Sequence, residues 1–281
     1  MARARLLVQA AGRPAGGITL NRMRLPRRLT RAVARAKPVV PERAWPLLLA
    51  LRSLPGEGPI VGEPRWSSVA VIAAHPDDES LGCAGTIALL RKRGTPVSVA
   101  FATDGQATRG AATTEEETGR RRRAEAVAAC TTLGVDDVTF WGLADGCLPS
   151  QVDELARRIT TLVDGHDGLL LPWFLDGHPD HEALSEALAG AVVGPATEVW
   201  GYETWTPLPA NRIVDVTSVW DQKKGAIAAH VTATQAFDLE AALGLNRWRS
   251  IHGLMGRGYA EGFLAAPIAE YLAVRKQVLD G

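Results

Sequence analysis

From Ser67 onward the chain switches repeatedly between short apolar runs and longer stretches of helical periodicity. The runs Ser68–Ala74, Pro96–Ala102, Val138–Trp141, Gly168–Leu171, Glu198–Trp205 and Arg212–Val216 have the length and composition of strands. Between them the pattern predicts helices over Leu81–Arg93, Thr114–Leu133, Val152–Val163, Glu182–Val193 and Val219 to Ala229. Thr114 with Glu115, Glu116 and Glu117 suits the N-terminus of the second helix, and Gly134 supplies its stop. Strands alternating with helices in this way predict an α/β fold, a Rossmann-like three-layer αβα arrangement with a mainly parallel sheet. After Thr232 the chain is Gly-rich and less regular, ending in a helix from Pro267 to Val278 that could help cover a site.

Composition divides the chain in two. Residues 1–66 carry 13 Lys/Arg against 3 Asp/Glu and eight of the 17 prolines, which leaves 18 against 28 for residues 67–281. The net charge of zero therefore hides a basic, Pro-punctuated N-terminal extension ahead of a mildly acidic domain. The extension lacks the apolar core of a signal peptide and offers at most two short helices, Leu25 to Lys37 and Ala44 to Leu54. It reads as a variable extension packed on the domain, in preference to an arm contacting an anionic membrane or a partner. No apolar run reaches the roughly 20 residues that span a bilayer. Cys83, Cys130 and Cys147 form neither a finger spacing nor a disulfide framework, so a cytoplasmic setting is expected. Nothing in the pattern specifies an oligomer.

Chemistry is concentrated after two of the strands. His75-Pro76-Asp77-Asp78-Glu79 follows the first, and Asp176-Gly177-His178-Pro179-Asp180-His181-Glu182 follows the run ending in Pro172. Open α/β sheets keep their sites where strands end and helices begin. A catalytic zinc takes three His or carboxylate ligands and keeps an open position for water. His75, Asp78 and one or both of His178 and His181 supply such a set, and adjacent carboxylates can divide the work of ligand and general base. Spacing alone does not choose His181 over His178, or Asp77 over Asp78. A lone His-Pro or Asp-Asp pair is usually a turn; two clusters after two strands argue for one assembled metal site.

His75-Pro76-Asp77-Asp78-Glu79 and His178-Pro179-Asp180-His181 resemble the two signature motifs of the PIG-L, or LmbE-like, family of zinc-dependent N-acetylglucosaminyl de-N-acetylases. Thr103-Asp104-Gly105, Arg122 and Glu125 through Gly134, Trp141-Gly142-Leu143 with Asp145-Gly146, and Tyr202 to Pro207 are similar to further segments of it. The likeness runs from about Ser68 to His230 and leaves residues 1–66 outside. It implies zinc on His75, Asp78 and His181, with Asp77 as general base to a zinc-activated water. It further implies that His178 stabilises the oxyanion or protonates the leaving amine, and that Asp180 orients a histidine. Iron(II) would suit the same ligands. Arg109, Arg122 and Asp145 fall at the pocket mouth by the same resemblance, as candidates to bind sugar hydroxyls or phosphate.

Other readings are weighed beside these. Arg122 lies in the run Arg120 to Arg123, where most side chains must be solvated, and Asp145-Gly146 is also a common turn pair. Trp141 and Trp173 end strands near the motifs; either could face a sugar, although core packing suits Trp141 better. Cys83 fits a buried apolar role. The expected substrate is a small N-acetylated amino sugar of GlcNAc type or its conjugate. Two alternatives are an amidase removing a larger acyl group and a non-catalytic sugar-binding module with a structural metal. Gly82 and Gly85 sit inside a helical pattern rather than in a dinucleotide-binding loop, and nucleic acid is not an expected partner of an acidic domain.

Overall fold

The computed structural model describes residues 59–108, 114–235 and 239–280. Both short helices expected in the N-terminal extension lie outside the described residues. The elements are β1 (Ile60–Val61), β2 (Val69–Ala73), α1 (Asp78–Lys92), β3 (Val97–Thr103), α2 (Glu115–Thr132), β4 (Asp137–Leu143), α3 (Val152–Val163), β5 (Gly168–Pro172) and α4 (Pro179–Gly190). They continue with β6 (Glu198–Tyr202), β7 (Arg212–Asp215), α5 (Trp220–Ala229), α6 (Leu239–Arg249), β8 (Ala260–Pro267) and α7 (Ile268–Asp280), joined by short helical turns.

Eight strands form one sheet in the order β1-β7-β8-β6-β5-β2-β3-β4. Every pair is parallel except those of β8, which runs antiparallel to both β6 and β7. Alternation along β2 shows why the sheet is buried on both faces. Val69, Val71 and Ala73 point into one apolar cluster with Ile87 and Leu90 of α1, Ala126 and Ala129 of α2, and Ile227 of α5. Ala70, Ile72 and Ala74 point into the other with Leu155 and Ile159 of α3, Leu184 and Leu188 of α4, and Tyr271 of α7. A strand buried on both sides reads as an unbroken apolar run, the pattern of parallel sheets.

The three-layer αβα arrangement holds, with four departures from the pattern. Residues Leu239–Arg249 are helical and Ala260–Pro267 forms β8, where only irregular chain was expected. The sequence Ala-Glu-Gly-Phe-Leu-Ala-Ala-Pro lacks the β-branched residues that mark strands. It pairs because β6 and β7 flank it on both sides. The helix expected at Glu182 begins at Pro179, inside the second cluster, because Pro suits the first helical turn. Likewise α1 begins at Asp78 rather than Leu81. Before Ser67, β1 pairs with β7 and the Trp66 ring packs edge-on against Trp200 at 5.1 Å.

β2 pairs with β3 on one side and β5 on the other, so connections leave it in opposite directions. That reversal opens a crevice beyond the carboxyl ends of these strands. No helix among the described residues is long and apolar enough to cross a membrane.

Candidate metal centre

Both signature clusters emerge at this crevice. His75 follows β2 directly, while Asp78 and His181 sit in the first turns of α1 and α4. Three of their atoms form a compact triangle. His181 Nε2 lies 3.3 Å from His75 Nδ1 and 3.2 Å from Asp78 Oδ2, and His75 Nδ1 lies 3.6 Å from Asp78 Oδ2. Ligands about 2.0–2.1 Å from a tetrahedral ion stand roughly 3.3–3.4 Å apart, so the donor set fits a zinc-type centre.

The outer shell explains why those atoms face one another. His75 Nε2 meets Asp145 Oδ1 at 3.1 Å and Asp180 Oδ2 at 3.2 Å. Asp180 is itself held by the backbone N–H groups of Gly146 (2.8 Å) and Leu148 (3.1 Å). On the other histidine, Nδ1 lies 2.6 Å from Asp176 Oδ2. Each ring thus gives an N–H to carboxylate and turns its other nitrogen toward Asp78, the usual way a tautomer is set for a metal. Burial lowers the affinity of both imidazoles for a proton, but the carboxylates outweigh it. His75 is raised well above its ordinary value by Asp145, Asp180 and Asp78, and His181 to about 9 by Asp78 and Asp176. Asp78 is held well below the usual carboxylate range because His181 overrides its burial. Such a nest of paired charges attracts a cation in place of protons.

Asp77 faces the same cavity. Burial pushes its carboxyl up to about 6, with Arg122 opposing and Asp78 reinforcing the shift. Arg122 is buried, so it is the member of the arginine run turned inward. Its guanidinium donates to the carbonyls of Pro76 (2.5 Å) and Gly105 (3.2 Å) and to Thr108 Oγ1 (2.6 Å), and stands 3.2 Å from Asp77 Oδ1. Gly105, at φ +63°, is required there, since a Cβ would overlap that guanidinium. Arg122 lines the cavity but its donors are largely engaged; it ties three loops around Asp77. Asp145 also lines the cavity, with one oxygen on His75 and the other on the Ala107 N–H at 2.8 Å. Arg109 lies outside the described residues.

His178 occupies the open side, its ring centroid 4.8 Å from that of His75 and 4.9 Å from that of His181. Its Nδ1 accepts the Asp180 N–H at 3.2 Å as the cap of α4, which leaves Nε2 to carry the proton. Burial first, then His181 and His75, lower its pKa, so the neutral ring is favoured.

Several residues of the site were not singled out from sequence. Asp176, at the head of the second motif, is fully buried behind His181 and accepts N–H groups from Thr204, Trp205 and Thr206. His230 Nε2 meets Glu79 Oε1 at 2.9 Å, while Glu79 Oε2 takes the Asp77 N–H at 3.2 Å. Trp205, not Trp141 or Trp173, offers an open ring. Those two are buried, and Trp173 Nε1 is spent on the Thr206 carbonyl at 2.9 Å. The cavity measures about 950 Å³ and includes Asp77, Arg122, His178, Trp205 and Leu245 in its wall.

Comparison with known proteins gives a consistent picture. Residues 70–192 match the family described as PIG-L, GlcNAc-PI de-N-acetylase. The chain is 34% identical over 184 residues to a probable N-acetyl-alpha-D-glucosaminyl L-malate deacetylase 2 of Bacillus subtilis, covering 59% of this chain and 83% of that one. A diacetylchitobiose deacetylase of Thermococcus kodakarensis is 29% identical, over 58% of this chain and 68% of its own. In three dimensions the fold is similar to that of the N,N'-diacetylchitobiose deacetylase from Pyrococcus horikoshii. The TM-score is 0.63 at 22% identity, with 73% of this chain and 86% of that chain covered.

Proposed function

This chain belongs to the PIG-L family, and on that premise we propose that it is a metal-dependent N-deacetylase acting on a GlcNAc-type amino sugar or its conjugate. One observation carries the reading: the triangle of His75 Nδ1, Asp78 Oδ2 and His181 Nε2, with Asp77 and His178 on its open side. The relatives named as deacetylases of GlcNAc-malate and of diacetylchitobiose support the amide and the amino sugar.

Zinc, or iron(II), would be held by His75, Asp78 and His181, and would polarise the acetamide carbonyl and bring the pKa of a water to about 7. Asp77, with its pKa raised to about 6, is ionised at neutral pH yet basic enough to take a proton from the attacking water. The water oxygen bonds to the acetyl carbon as that proton passes to Asp77. His178, neutral and carrying its hydrogen on Nε2, donates to the carbonyl oxygen as negative charge grows there. The carbon–nitrogen bond then breaks and Asp77 returns the proton to the departing nitrogen, giving acetate and a free amine. His178 so serves as a hydrogen-bond donor, because its Nδ1 is taken by the Asp180 N–H and its hydrogen stands on Nε2. Asp145 and Asp180 keep the His75 ring in register, and Arg122 holds Asp77.

The test is acetate release from a panel of N-acetylglucosamine conjugates by metal-reconstituted protein, beside a His181→Ala control. Metal-dependent acetate that vanishes in the control is expected. Release of a longer acid would turn the reading to an amidase, and no product from protein carrying one zinc would overturn it.

A further inference from the structure

Asp77 is the N-cap residue of α1, a place where an Asp side chain ordinarily accepts N–H groups of the first helical turn. Its side chain makes no such bond. The residue lies instead at φ 140°, with its carboxylate in the cavity wall and one oxygen 3.2 Å from the Arg122 guanidinium. A definite alternative is therefore open to the base, folded back on its own helix and away from the metal triangle. A second buried carboxylate opposes that return. Glu79 Oε2 accepts the Asp77 N–H at 3.2 Å, while Oε1 accepts from Ser80 Oγ at 2.6 Å and from His230 Nε2 at 2.9 Å.

We propose that Glu79 and His230 are positioning residues of the reaction, acting through the Asp77 N–H to keep that carboxylate off the helix end and aimed at the metal triangle. This rests on the deacetylase reading, in which Asp77 is the base, and adds two residues that do not line the cavity. Three observations carry it. Glu79 follows the ligand Asp78 in sequence, yet its oxygens face Ser80, His230 and the Asp77 N–H, none of them part of the triangle. The His230 ring is buried and gives Nε2 to Glu79, while its Nδ1 has no partner among the described residues. An orphaned buried nitrogen costs stability, so packing alone does not account for an imidazole here. Helix α2, finally, anchors both supports of the base. Arg122 holds the Asp77 carboxylate. One turn further on, Glu125 accepts the Thr232 N–H at 3.0 Å and Thr232 Oγ1 at 2.8 Å. The Thr234 N–H and Oγ1 close on the His230 carbonyl, each at 3.0 Å, so the turn that carries the ring is fixed to α2.

The experiment measures acetate release from the same panel of N-acetylglucosamine conjugates by metal-loaded wild type, Glu79→Ala, His230→Ala and His230→Gln. In both Ala variants kcat should fall about 10–100-fold, the scale of a reacting group misplaced by roughly an ångström, with KM and metal content unchanged. His230→Gln should recover most of the loss, since its amide N–H can stand where Nε2 does. In an Asp77→Asn background His230→Ala should bring no further loss, because a support has no effect once the base is gone. Crystals of metal-loaded Glu79→Ala, or of His230→Ala if the first does not fold, should show Asp77 in extended backbone with its carboxylate capping α1. A loss in KM or metal content in place of kcat overturns the proposal. So do equal losses in His230→Ala and His230→Gln, an added loss beside Asp77→Asn, or an unmoved Asp77. If wild type releases no acetate from the panel, the deacetylase reading fails, and the crystal structure still judges the support.

Discussion

Asp77 sits at φ 140° and ψ −24°, a conformation that L residues rarely adopt, at a cost of about 1–3 kcal/mol. The surroundings impose it. Its N–H bonds Glu79 Oε2, its carbonyl accepts the Leu81 N–H at 2.9 Å, and Arg122 bridges its carboxylate to the Pro76 carbonyl. Strain held at a carboxylate that is both buried and aimed into a cavity fits a base kept in one orientation. Asp77→Asn should retain metal by elemental analysis and lose about 10²–10⁴ in turnover, the range for a general base; near-wild-type turnover in a metal-loaded variant would remove Asp77 from that role. Asp176 acts at one remove. Asp176→Asn takes the charge from behind His181, and metal affinity should weaken by about 10–100-fold in competition with a chromophoric chelator.

Helix α1 begins with Asp78 and Glu79 of the first motif, and its placement depends on a close approach. A Cβ at Gly82 would overlap the Tyr202 ring, whose hydroxyl donates to the Ile72 carbonyl at 2.8 Å inside the sheet. Gly82→Ala should therefore displace α1 from β6 and cost about 1–3 kcal/mol in chemical denaturation, as overpacked cores do. A second contact of α1, with α5, is electrostatic. His230, closing α5, pairs with Glu79 in the first turn of α1. Burial lowers the His230 pKa, but the Glu79 charge and hydrogen bond prevail and raise it above the ordinary value. A raised histidine stabilises the fold fully below the unfolded value of about 6.5 and loses that contribution as pH climbs through the folded value. The stability gap between wild type and His230→Gln should thus be widest near pH 6 and close at higher pH; a gap constant with pH would sink this account.

At the scale of the whole molecule, a buried ion pair fastens the late strand to the early helix. Glu261 of β8 accepts the Gly85 and Thr86 N–H groups of α1, each at 2.8 Å, and pairs with Lys223 of α5 at 2.7 Å, all without solvent exposure. Lys223→Met would strand that carboxylate and should cost about 3–5 kcal/mol in urea unfolding. Periodicity and apolar runs by themselves determined the alternation of strands and helices, hence a parallel sheet covered on both faces, because each residue's neighbours in sequence set that pattern. The two motifs likewise determined which residues could meet a metal. Whether His75 presents Nδ1 or Nε2, which carboxylate stands behind which histidine, and which of four arginines turns inward were decided only by tertiary structure. So were the pairing of β8, with its weak strand composition, and the exposure of Trp205 over Trp141 and Trp173. Each of these depends on contacts between residues far apart in the chain, and local sequence carries no record of the partner.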